Sequence, residues 1–306
     1  MSDHVLTSEE PPCEAVEKVT CLPPSVGRAP GTGVGGPGSG NRTQADVEER
    51  WAAIFGGPQG SVAVHMVRPK QACGPLPTVL YLHGGNGETD SRGGHDRLIR
   101  ELAVGAQAAV LYPEYTLTPN TSYRTALEEC CTVARWITEH GSGHGMDPTR
   151  LAVVGHFAGG NMSAALTLMA TERAVATFAL QVLLYPLPHR SAAASTPPSG
   201  KRDITSRFRD HHTTDTHQDV EAGDVLETSG QRLTGLPPAL VVTAETDVLQ
   251  DAGQTYAAKL RSAGVAVSTV HYDRAVRAPA PPSARAPHAA ITHVISALKQ
   301  AFADGR

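Results

Sequence analysis

The chain has 306 residues, 40% of them hydrophobic and 18% charged, with a net charge of −4 and a pI near 6.4. That length suits one α/β domain of roughly 250 residues with a tail and a large core. The mildly acidic balance excludes the basic surface that nucleic acid or anionic membrane selects.

From the N-terminus, residues 1–50 read as a flexible tail, with the domain spanning 51–306. The opening MSDHVLTSEEPP is acidic and polar, with neither the basic start nor the apolar stretch of a secretory signal. No apolar run reaches membrane-spanning length. The expected location is therefore cytoplasmic. The segment PGTGVGGPGSG at Pro30–Gly40 is nearly all Gly, Pro and small polar residues, too poor in apolar surface to offset its ordering entropy. It contains a glycine-rich run, but no strand precedes it and no apolar helix follows, so a dinucleotide site is not expected. The three Asn-x-Ser/Thr matches, at Asn41, Asn120 and Asn161, read as chance in a chain without a leader.

From Ser61 the texture changes. Short apolar runs predict strands at Ser61–Arg68, Pro77–His83, Ala106–Tyr112, Leu151–Gly155, Phe178–Tyr185, Ala239–Ala244 and Val265–Tyr272. Such runs suit strands buried on both faces. Helical spacing predicts helices over Asp96–Ala103, Ala126–Glu139, Ala158–Thr171, Asp251–Ala263 and Ala289–Phe302. The alternation gives the fold class: α/β, a mostly parallel twisted sheet with helices on both faces. Residues 186–234 interrupt it and read as a polar, largely looped insertion over the C-terminal edge of the sheet. Its His211, His212 and His217, with Asp210 and Asp215, fit no standard metal spacing, so no metal and no cofactor are expected. The five cysteines (Cys13, Cys21, Cys73, Cys130 and Cys131) lack a C-x-x-C spacing. They read as free thiols in a reducing compartment.

The strongest local signal is LAVVGHFAGGNMS at Leu151–Ser163. A buried strand runs into Gly-x-x-x-Gly and then a helix, the setting of a sharp nucleophile elbow. The helix N-terminus offers backbone N–H groups to a developing oxyanion. A second signal is HGGNG at His83–Gly87, whose small residues let the backbone approach a substrate.

With these motifs the chain resembles the hormone-sensitive-lipase-like esterases of the α/β-hydrolase fold, a family with an HGGG loop and a GDSAGGN elbow. DRLIRELA at Asp96–Ala103, DPTRL at Asp147–Leu151, Tyr185-Pro186, GLPPAL at Gly235–Leu240 and AETDVLQD at Ala244–Asp251 also resemble it. The likeness covers roughly residues 55–186 and 234–305. It implies a catalytic acid at Asp247 and oxyanion donors on the backbone of Gly84, Gly85 and Ala158. It also places the family's serine on Phe157, the aspartate before it on His156, the third loop glycine on Asn86 and the histidine on Arg277.

Phenylalanine has no lone pair with which to attack a carbonyl, and arginine stays protonated and cannot act as a general base. In a serine protease, loss of the serine or the histidine alone costs on the order of 10⁶ in turnover. Four residues could substitute: His156, His288 or His293 as base, and Ser163 as nucleophile. A turn residue, a helix-surface histidine and a helix-facing hydroxyl are the plainer readings. Asp247 reads either as a helix cap or as an ion-pair partner of Arg277.

The functional expectation is a pseudoenzyme that has lost serine-hydrolase activity and binds a small-molecule or ester-like ligand, or serves as an interaction scaffold. The alternatives are a non-hydrolytic cyclase or lyase of specialised metabolism and a residual carboxylic-ester hydrolase. Probe labelling and ester turnover separate the hydrolase reading from the other two, and a ligand-dependent thermal shift without turnover favours the first. The oligomeric state is not legible in the sequence.

Overall fold

The computed structural model describes residues 20–21, 46–83, 92–115, 122–186, 225, 228–244, 247–272 and 288–304. The strands are β1 (Thr20–Cys21), β2 (Val47–Phe55), β3 (Ser61–Pro69), β4 (Leu76–Leu82), β5 (Ala109–Glu114), β6 (Met146–His156), β7 (Leu180–Leu184), β8 (Ala239–Ala244) and β9 (Val267–Tyr272). The helices are α1 (Arg92–Ala106), α2 (Tyr123–His140), α3 (Ala158–Arg173), α4 (Asp247–Ser262) and α5 (His288–Asp304). One sheet runs in the order β1-β2-β3-β5-β4-β6-β7-β8-β9. Pairing is antiparallel from β1 through β5 and parallel from β5 to β9.

The alternation of strand side chains builds two cores. Leu80, Leu82, Leu151, Val153 and Leu183 face α2, α3 and α4. Val79, Tyr81, Ala152, Val154 and Val182 face α1 and α5 on the other side. This is why β4, β7 and the Leu151–Gly155 part of β6 read as largely apolar runs: a two-sided parallel strand has no solvent face. Helix α3 is buried along Ala158–Ala170 and so carries no polar stripe.

The sheet starts earlier than the sequence reading placed the domain. Val47–Phe55 lies across the expected boundary at residue 50 and pairs with β3 over its whole length. Its burial alternates only from Trp51 onward, because Glu48, Glu49 and Arg50 all reach solvent at the margin of the sheet. The end of the expected insertion is also corrected: Val225 and Leu233 are fully buried core residues, and Gly230–Leu233 forms a 3-10 turn. The remaining residues of the insertion, 187–224 and 226–227, and most of the tail lie outside the described residues.

Two strand starts move for one shared reason. Helix α1 continues to Ala106, and Gln107 ends it at φ 51° while the Ala108 N–H bonds back to Ala103 O at 3.1 Å. Strand β5 therefore begins at Ala109, not Ala106. Gly264, at φ 81°, likewise ends α4 with the Val265 N–H on Leu260 O at 3.0 Å, and β9 begins at Val267. Both are left-handed helix ends with a back-reaching bond, which spend on capping the residues that look like strand.

Candidate active site at the strand–helix elbow

Strand β6 stops at His156, the chain turns at Phe157, and α3 begins at Ala158. Phe157 sits at φ 52° and ψ −114°, backbone that a β-carbon disfavours. Its N–H donates to Leu184 O at 2.9 Å, and its carbonyl accepts from Gly160 N at 2.9 Å and Asn161 N at 3.3 Å. The turn is thus fixed from both sides.

The glycines of the motif are required by close approach. A β-carbon on Gly155 would lie 2.0 Å from Gly159 O and 2.2 Å from Ser163 Oγ. One on Gly159 would lie 2.0 Å from Leu82 O and 2.7 Å from His83 O. The first turn of α3 therefore rests on the end of β4, where the His83 loop departs. By helix geometry the N–H groups of Ala158 and Gly159 have no intrahelical acceptor, which is the condition for holding an oxyanion.

Aromatic rings close around this point. Phe157 meets His156 edge-on, with centroids 4.5 Å apart at 85°, and Tyr185 at 6.0 Å. His156 also meets His95 at 5.8 Å, and the His95 Nδ1 shares a 2.7 Å hydrogen bond with the Tyr81 hydroxyl. The His83 ring stacks on Tyr115 at 4.5 Å, and the Tyr115 hydroxyl donates to His83 O. On the other side of α3 the Tyr123 hydroxyl donates to Asn161 Oδ1 at 2.7 Å. Burial pushes the Tyr185 phenol up to about 12 and raises the Tyr115 phenol well above the usual range, so both stay neutral donors at working pH.

A family model described as the alpha/beta hydrolase fold matches residues 79–278. The chain belongs to the α/β-hydrolase fold family. Within it the chain is similar to esterases. It is 34% identical over 230 residues to carboxylesterase NlhH of Mycobacterium tuberculosis, covering 72% of this chain and 71% of that protein. It is 34% identical over 218 residues to an ethyl acetate hydrolase of Pseudomonas putida, covering 68% of each. Among solved structures, a thermostable esterase from Pseudomonas putida ECU1011 superposes with a TM-score of 0.71 at 33% identity, over 85% of this chain and 83% of that one. An esterase from Rhizomucor miehei gives 0.75 at 29% identity, over 85% and 84%.

The α/β-hydrolase site is only partly in view. Asp247 is the first residue of α4, three residues past the end of β8, and its side chain lies outside the described residues. Arg277, Gly84, Gly85 and Asn86 also lie outside them, as does any Asp247–Arg277 pair. Ala158 and Phe157 are adjacent at the elbow. The four candidate substitutes fare differently. Ser163 is fully buried between α3 and β6, and its hydroxyl faces Gly155 in the interior. His293 is exposed on α5, with its Nδ1 2.7 Å from the Tyr272 hydroxyl. His156 is half-buried and lies against a phenyl ring. His288 opens α5, and its side chain lies outside the described residues.

The histidines and aspartates of residues 210–217 are outside the described residues too, and among the described ones no cluster of three metal-ligating side chains occurs. No described helix is long and apolar enough to cross a membrane. Cys73, Cys130 and Cys131 are free thiols, the last two buried. Burial raises the Cys130 thiol well above its usual range, which keeps it protonated.

The sequence did not mark the aromatic wall. His95, Tyr112 with Tyr115, and Tyr185 come from three separate stretches and meet only because β5, β4, β6 and β7 are neighbours in space. A tyrosine just beyond the end of a buried strand, as at Tyr115 and Tyr185, was the only local signal.

Proposed function

We propose that this member of the esterase family has lost the covalent serine-hydrolase route and keeps its cradle as a noncatalytic site for a small, ester-like molecule. The observation that supports the reading is the side chain at the elbow. The position from which the family's nucleophile acts holds a benzyl group, packed edge-on to His156 and against Tyr185. No hydroxyl or thiol stands there to be acylated. The relatives' carboxylic ester hydrolysis enters as the ancestry of the site: a helix N-terminus suited to an oxyanion and a proposed acid at Asp247. The proposed role of Arg277, in place of a histidine, is to neutralise that acid rather than to relay a proton.

Ester turnover and ligand binding separate the readings. The account predicts hydrolysis of a p-nitrophenyl acetate probe at the buffer rate, together with a rise in melting temperature on addition of a non-hydrolysable short-chain amide. Turnover that saturates with ester concentration and survives Phe157→Ala would instead assign hydrolysis to another residue.

A further inference from the structure

A concave site lies at the end of the sheet opposite the elbow. The elbow contacts the C-terminal end of β4, whereas a cleft of about 400 Å³ opens around Leu76, where β4 begins. Seven strand residues separate the two ends by roughly 20 Å. The cleft therefore shares no wall with the elbow.

Its construction is that of a small-ligand site: an apolar floor with a few polar groups at the rim. Leu76, Pro77, Ala106 and Phe302 form the floor, and all four are buried. They come from the start of β4 and from the C-terminal ends of α1 and α5. Arg150, Lys299 and the exposed thiol of Cys73 lie at the rim. Among the described lining residues there are two cations and no acid.

The two cations are not equivalent. Arg150 Nε is held by Asp147 Oδ2 at 2.6 Å, and its Nη2 donates to Pro75 O at 2.9 Å. Its charge is therefore already compensated, which leaves one spare donor nitrogen. Lys299 has no ion-pair partner among the described residues. The rim thus carries one ammonium with no ion-pair partner among the described residues beside a fixed guanidinium. A single carboxylate matches that charge, whereas a doubly charged phosphate exceeds it.

We propose that this cleft binds a small amphipathic monocarboxylate, with the acid group at Lys299 and Arg150 and a short hydrocarbon chain on the Leu76–Phe302 floor. The site is independent of the elbow and of whether the elbow is catalytic.

Cys73 supplies the readout. Cys130 and Cys131 are buried, so iodoacetamide alkylation followed peptide by peptide reports the rim of the cleft directly. With the full chain, hexanoate in the millimolar range is expected to slow Cys73 alkylation saturably, while 1-hexanol and inorganic phosphate do not. Lys299→Met, which keeps the aliphatic stem, is expected to weaken the hexanoate effect about tenfold, the scale of losing a charge-assisted hydrogen bond. Lys299→Gln serves as a second variant should the first fold poorly. No protection by hexanoate, equal protection by 1-hexanol, stronger protection by phosphate, or an unchanged affinity in folded Lys299 variants would each overturn the proposal.

Discussion

At the scale of single residues, the elbow is constrained by its glycines more than by what occupies its tip. A β-carbon on Gly159 would overlap the Leu82 carbonyl, and backbone cannot move aside as a flexible side chain can. Gly159→Ala is expected to cost more than about 3 kcal/mol or to prevent folding. Gly143→Ala, with nothing within 4 Å of the added carbon, should stay within about 0.5 kcal/mol of the parent. Chemical denaturation of the two variants checks this. The same reasoning explains why the elbow keeps its shape with phenylalanine at position 157. The strained backbone is imposed by the Gly155 and Gly159 contacts and by the Leu184 carbonyl, so it does not depend on a serine. These residues were legible because they are consecutive. Tyr185, whose ring helps to cover the site, was not, because nothing within its own stretch says which strand lies beside it.

At the scale of elements, an ion network ties the outer strands to α1. Glu49 on β2 accepts from His65 at 3.1 Å and from Arg100 at 2.6 Å, and Arg100 also lies 3.8 Å from Asp96. Trp51 stacks on His65 across the β2–β3 ladder at 4.7 Å. The His65 hydrogen bond, and then Arg100, hold the Glu49 carboxyl at about 2, against desolvation that pushes it up. A carboxyl whose pKa is lower in the folded chain adds stability above its unfolded value of 4.5 and loses it as pH falls toward 2. Because Glu49 is partly exposed, the expected contribution is about 1–2 kcal/mol at neutral pH. Glu49→Gln should therefore melt earlier than the parent at pH 7, and the gap should close through pH 4.5 to 2. A gap that widens on acidification would contradict this. Asp96 is shifted the other way, with burial raising its pKa, so it opposes this trend from the same network. Strand β2 was missed in the sequence because Glu48, Glu49 and Arg50 are three consecutive charged residues that reach solvent, with Glu49 in this network, so its first half has no alternating face. The buried parallel strands, with no such second duty, were legible from their apolar runs alone.

At the scale of the whole molecule, the order β5-β4-β6-β7 brings His83, the elbow and the aromatic wall to one end of the sheet, and the helices on both faces hold them there. The α/β architecture was legible because each unit of the alternation repeats the same physics. The ends of helices were less so, since a left-handed cap such as Gln107 carries no glycine to announce it. If the two replaced positions are what silence the site, restoring them together should matter more than restoring either. Phe157→Ser combined with Arg277→His is expected to raise p-nitrophenyl acetate hydrolysis at least about a hundredfold over each single variant, because nucleophile and base act as a unit. Equal rates in the double and single variants would place the loss elsewhere in the cradle. The most direct measurement is intact-mass analysis of the unaltered protein after exposure to a fluorophosphonate, which attaches covalently to an activated nucleophile. The account predicts an unchanged mass, with an adduct appearing only in the doubly restored variant. A stoichiometric adduct on the unaltered chain would contradict it.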